Sequence, residues 1–160
     1  MKHDIIEELF KKYYNDALLY TLSLTKNYPL AEEIVSDTFF IALKTSDEEI
    51  LNFKSWLLKV CRNLYLNSLR KSKRHQIYDD NVISESEHII DNLIRDDEYK
   101  ALHHAISLLG DLQKEILTLF YFEDMSVKEI SIITKKSEEV VKVTLFRARE
   151  ALKKILTKNM

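Results

Sequence analysis

Residues 126–156 read SVKEISIITKKSEEVVKVTLFRAREALKKIL. Ser126 and Glu129 form an S-x-x-E capping box, which opens a short helix predicted to run to about Thr134. Ser137 then caps a longer helix predicted to about Leu156. Val141, Leu145, Ala148, Leu152 and Ile155 recur every three or four residues, so they form its buried face. That burial turns 139, 142, 143, 146 and 149 outward, with Lys142, Arg147, Arg149, Lys153 and Lys154 on the same helix. Short helix, tight turn and capped long helix make a helix-turn-helix pattern, whose second helix can enter a DNA major groove. An ordinary helical hairpin with one basic side has the same spacing.

The rest of the chain is helical by the same reasoning. One Gly and one Pro in 160 residues exclude turn-rich β folds and glycine-rich phosphate loops. The fold class is therefore all-α. Residues 4–26 repeat apolar side chains at helical spacing, and Pro29 suits the first turn of a second helix. That helix reads LAEEIVSDTFFIALK, with Glu32 and Glu33 placed in its first turn. A third runs from Phe53 to about Lys73, with Phe53, Trp56, Leu57, Val60 and Leu64 inward. Further on, Tyr99–Leu109 is a helix with Gly110 as its C-terminal cap, and Asp111 caps the next.

Net charge is −2 but comes in blocks: −5 over 1–50, +7 over 51–78, −7 over 79–98 and +3 over 99–160. Alternating blocks point to separate surfaces with separate partners. The acidic, pattern-poor stretch 76–95 reads as a linker between a domain at 1–75 and a domain at 96–160, with a short apolar island at Ile89–Ile94 and room for some residual helix. The basic third helix mixes Lys54, Lys59 and Arg62 with Asn63, Asn67, Trp56 and Tyr65. Cations hold phosphates, aromatics stack on unpaired bases and asparagines read base edges. Trp56, on the apolar stripe, is assigned to the core.

No catalytic or metal constellation is present in the sequence. The five histidines lack metal-ligand spacing, and the single Cys61 reads as a packing residue. No enzyme activity, cofactor or metal is expected. The N-terminus lacks a signal-peptide core and no apolar run approaches a membrane span, so a cytoplasmic protein without membrane insertion is expected.

Three stretches in this order carry a family resemblance: LAEEIVSDTFFIALK, FKSWLLKVCRNLYLNSLRKSKR and LLGDLQKEILTLFYFEDMSVKEISIITKKSEEVVKVTLFRARE. The chain resembles a bacterial RNA polymerase sigma factor of the sigma-70 superfamily, extracytoplasmic-function (ECF) type. The resemblance implies two small helical domains, region-2-like and region-4-like, joined by the acidic linker. It implies an alternative sigma factor that binds core RNA polymerase and directs promoter-specific initiation. Glu33, Asp37 and Phe40 would dock on the β′ clamp helices. Lys54, Arg62, Asn63, Asn67, Arg70, Lys73 and Arg74 would handle the −10 element. Ser137, Glu138, Glu139, Lys142, Val143, Arg147 and Arg149 would read the −35 element, with the same domain packing on the β flap. The linker would thread toward the RNA exit path, and an anti-sigma factor is an implied partner.

Two departures stand out. Thr134-Lys-Lys-Ser137 replaces a turn that usually reads like LGIS, so no glycine relieves Lys135. Val140-Val-Lys-Val-Thr-Leu145 replaces a helix like TVKSRL, with Thr144 in place of an arginine. Two other readings fit the residues. One is a stand-alone helix-turn-helix regulator, which leaves the 30–44 helix and the basic 51–78 block without a role. The other is a helical interaction module without DNA binding.

Overall fold

The computed structural model describes residues 3–45, 52–71 and 80–158. Among these residues there are eight helices and no strand. The chain divides into two compact units, Met1–Leu93 and Ile94–Met160.

Unit 1 contains α1 (His3–Thr25), α2 (Tyr28–Lys44), α3 (Phe53–Lys71) and α4 (Asp80–Leu93). Asn27 caps α2: its side-chain oxygen accepts from the Leu30 amide at 3.1 Å, with Pro29 in the first turn. Because α2 starts at Tyr28, Glu32 and Glu33 stand in its second turn rather than its first. The core joins Ile6 and Ala17 of α1, Ile34, Val35, Phe39 and Ala42 of α2, and Phe53, Leu57 and Cys61 of α3. Rings interlock there, with Phe10 edge-on to Phe39 at 4.5 Å and Phe53 5.9 Å from both Phe39 and Tyr13. Cys61 is buried and its thiol donates to Thr38 Oγ1 at 3.5 Å, a packing role as expected. Trp56, Val60 and Leu64 are half-buried, whereas Leu58 and Cys61 are fully inside; the inward face is rotated toward them. Trp56 packs on this core, 6.0 Å from Phe53.

The stretch expected to be a linker differs most. Residues 80–93 form α4, which packs on α1 and α2 with Ser86 and Ile90 buried. Burial of the apolar stripe outweighs the repulsion among acidic residues on the outer face, which water screens.

Unit 2 contains α5 (Asp97–Ile106), α6 (Asp111–Tyr121), α7 (Val127–Thr134) and α8 (Glu138–Lys158). Asp96 caps α5 by accepting from the Glu98 and Tyr99 amides. Gly110 is not a C-terminal cap. It is the N-cap of α6 with φ −64° and ψ 161°, ordinary extended backbone, and Asp111 is the first helical residue. A Cβ at Gly110 would meet nothing within 4 Å. Gly110→Ser adds a capping hydroxyl and removes unfolded-state freedom, for an expected gain of about 1 kcal/mol. Urea unfolding followed by far-UV circular dichroism measures it; no gain would mean that the serine side chain does not cap.

The core of unit 2 is formed by Ile106, Ile116, Leu119, Ile130, Ile133, Val141, Leu145, Ala148 and Leu152. The capping box is complete: Ser126 Oγ accepts from the Glu129 amide and Glu129 Oε1 from the Ser126 amide, both at 3.1 Å. Lys135 ends α7 in the left-handed region, φ 60° and ψ 29°. A Cβ in that region costs about 1–2 kcal/mol. Lys135→Gly should therefore raise the stability of this unit by about 1 kcal/mol after the entropic cost of glycine. Amide exchange in α7 and α8 is the readout, and unchanged protection would contradict the strain.

Candidate functional site

α2 buries Ala31, Ile34, Val35, Thr38, Phe39 and Ala42 along one face. The opposite side presents Glu33, Asp37 and Phe40 at i, i+4 and i+7, all exposed, so the structure brings the three expected docking residues into one stripe. Phe40 is 57% exposed, and the Lys44 ammonium sits over its ring at 4.3 Å. The neighbouring Glu32 is engaged inside unit 1. It accepts from the Tyr28 hydroxyl, and this bond, ahead of burial and the Glu32 charge, pushes the Tyr28 pKa up to about 12. Burial, then the same carboxylate, raises Tyr14. Position along the helix thus separates a structural Glu32 from an outward Glu33.

On α3 the expected residues divide. Arg62 and Asn63 are half-buried, while Asn67 and Arg70 are exposed near its C-terminal end. Arg70 donates to the Asn67 side-chain oxygen at 3.1 Å, so these two form one polar unit. Lys54 lies at the other end of α3 and pairs with Asp16 of α1 at 3.8 Å, which ties the helix to its own unit. Lys73 and Arg74 lie outside the described residues.

In unit 2, Ser137 Oγ accepts from the Val140 amide at 3.2 Å and caps α8 as expected. The turn is held from below by Ser131, whose hydroxyl donates to the Lys136 carbonyl at 2.6 Å. Glu138, Glu139, Lys142, Val143 and Arg147 are all exposed on the first three turns of α8. Arg149 is turned aside. Its Nε donates to the Tyr121 hydroxyl at 3.1 Å, and its guanidinium stacks 4.7 Å from the Phe120 ring. The spacing along α8 puts Arg149 outward, but the aromatic pair on α6 supplies a cation–π seat that no local pattern shows. Two apolar residues outside the −35 candidates are also exposed: Phe146, 68% exposed at a position expected outward, and Val140, 42% exposed, which the spacing does not single out.

Among the described residues no group of three His, Cys, Asp or Glu side chains is placed to hold a metal ion. No helix among them is long and apolar enough to cross a membrane. The His103 ring meets Phe122 edge-on at 5.5 Å, an aromatic packing contact.

A helical unit with an outward acidic-aromatic stripe and a basic helix is thus followed by a helix-turn-helix unit. Sigma-70 region 2 matches residues 9–75, and Sigma-70, region 4 matches residues 99–152. The ECF RNA polymerase sigma factor SigM of Bacillus subtilis (strain 168) is 34% identical over 163 residues, covering 97% of this chain and 97% of the relative. RNA polymerase sigma factor SigV of the same strain is 34% identical over 142 residues, covering 86% of this chain and 82% of the relative. The sigma factor RpoE of Bartonella quintana, solved with the anti-sigma factor NepR, shares the fold with a TM-score of 0.64 at 20% identity, over 94% of this chain and 98% of that one. The chain belongs to the sigma-70 family and is an alternative sigma factor of the ECF type, a class that directs promoter-specific transcription.

Proposed function

We propose that the chain binds core RNA polymerase through α2, opens the −10 element with α3 and reads the −35 element with α8. The observation that carries this reading is the α2 stripe of Glu33, Asp37 and Phe40. A stand-alone helix-turn-helix regulator has no use for an exposed aromatic flanked by carboxylates on a second unit. The stripe suits the β′ clamp helices, and unit 2 suits both duplex DNA and the β flap. Such a factor acts in the cytoplasm as a non-catalytic initiation factor. RpoE was solved with an anti-sigma factor, and an anti-sigma partner is proposed for this chain by analogy.

The physical division of labour is as follows. Melting about ten base pairs costs on the order of 10 kcal/mol of lost stacking. A 160-residue chain cannot supply this alone. It traps unpaired bases and phosphates once the polymerase provides the larger surface. Arg62, Asn63, Asn67 and Arg70 are assigned to that trap on α3, with Lys73 and Arg74 beyond the described residues. Lys54, paired with Asp16, is assigned a smaller share.

Run-off transcription with reconstituted core polymerase tests the proposal. Transcripts that start at defined promoters only when the chain is added are the expected result. Duplex DNA binding without transcription would favour the stand-alone regulator, and neither activity would favour the interaction module.

A further inference from the structure

α8 carries an exposed surface of unusual composition for a helix that enters DNA. Successive residues turn by about 100° on a helix, so Glu139, Val143 and Phe146 fall within about 60° of one another. This line lies roughly opposite the buried Val141, Leu145, Ala148 and Leu152. Val143 is 46% and Phe146 68% exposed. Cations stand on both sides of the line and none within it: Lys142 and Lys153 on one flank, Arg147 and Lys154 on the other, all exposed.

That layout fits the cross-section of a major groove. Two flanks of cations face two phosphate backbones, and the middle of the helix faces base edges. The middle line has no arginine or lysine, so the bidentate guanine contact is not available there. Its chemistry is apolar at Val143 and Phe146, with an exposed carboxylate at each end, Glu139 and Glu150. The apolar feature of a base edge in the major groove is the 5-methyl of thymine.

Resting on the assignment of α8 to the −35 duplex, we propose that Val143 and Phe146 read thymine methyl groups and so determine which −35 sequence this chain accepts. Lys142 and Arg147 then set position and salt dependence. The covering partner of the exposed apolar line is thymine-bearing duplex DNA, because the cations on both flanks match paired phosphates.

The test changes DNA rather than protein. A preferred −35 sequence is selected from a randomised library with the holoenzyme. Each thymine is then replaced by deoxyuridine, which lacks only the 5-methyl. Loss of about fourfold in competition binding at one or two positions is expected, the worth of one buried methyl. Val143→Ser or Phe146→Ser should erase the uracil effect at its own position and leave the effect elsewhere. Equal binding of thymine and uracil at every position would overturn the inference while leaving −35 binding in place. A selected sequence without thymine opposite α8 would also overturn it. A library that yields no −35 preference, with transcription still dependent on the chain, would remove the duplex-reading assignment itself and point to a protein surface on the apolar line.

Discussion

Asp37→Lys should lower the affinity of the chain for core RNA polymerase about 30- to 150-fold and leave its helicity unchanged. The carboxylate is exposed in the middle of α2, between Glu33 and Phe40 on the same stripe. No apolar packing depends on it, because the buried side of α2 is built from Ala31, Ile34, Val35, Thr38, Phe39 and Ala42. If the stripe meets a basic surface, lysine replaces attraction with repulsion at a desolvated contact. Like charges facing each other across an interface cost several kcal/mol, and about 2–3 kcal/mol corresponds to the stated range. Phe40→Ala should add a loss of roughly 2 kcal/mol, since a large exposed ring beside charged residues has the character of an interface anchor. Glu87→Lys makes the same charge change on the exposed face of α4 and serves as the control. Co-purification of Asp37→Lys with core at the wild-type level, or an equal loss in the Glu87 control, would remove α2 from the polymerase interface.

Local chemistry made most of the helices legible. Ser126 with Glu129 and Ser137 with Val140 are contacts three residues apart, and Pro29 marks a first turn by itself, so local sequence reveals them. The outward residues of α8 were legible for the same reason, since one buried face fixes the other, whereas Glu33, Asp37 and Phe40 on α2 came from the family resemblance. Contacts between helices were not. The seat of Arg149 on Phe120 and Tyr121 and the pairing of Lys54 with Asp16 join residues 28 and 38 positions apart. Gly110 misled because glycine is common after a helix, whereas here its φ of −64° needs no glycine and it stands before one. Lys135 shows the converse: its left-handed backbone is the strain expected from a turn without glycine, carried by the packing around it.

Ile90→Ala should destabilise unit 1 by about 2–3 kcal/mol, toward the lower end for a large aliphatic residue truncated in a core. Ile90 is 5% exposed on α4, the helix that replaces the expected linker. Charge concealed α4 in the sequence: acidic residues dominate 79–98, while Ile89, Ile90 and Leu93 continue a helical stripe among them. Exposed Glu85 adds the smallest of the contributions that raise the Tyr28 pKa, so this part of α4 runs near the start of α2. The single tryptophan, Trp56, packs on the core of unit 1, and its fluorescence follows unfolding of that unit alone. A fall in its thermal midpoint on the order of 10 °C is expected. Glu87→Ala, on the exposed side of the same helix, should leave the midpoint nearly unchanged. An unshifted midpoint for Ile90→Ala would mean that α4 does not contribute to the unit. The outcome bears on function through reach. Fourteen residues span about 21 Å as a helix and about 48 Å extended. A docked α4 therefore keeps Glu85 and Glu87 on unit 1 and shortens the segment that the family resemblance would send toward the RNA exit path. For the acidic stretch to thread that path in full, α4 must first leave α1 and α2, and Ile90→Ala should make that release easier.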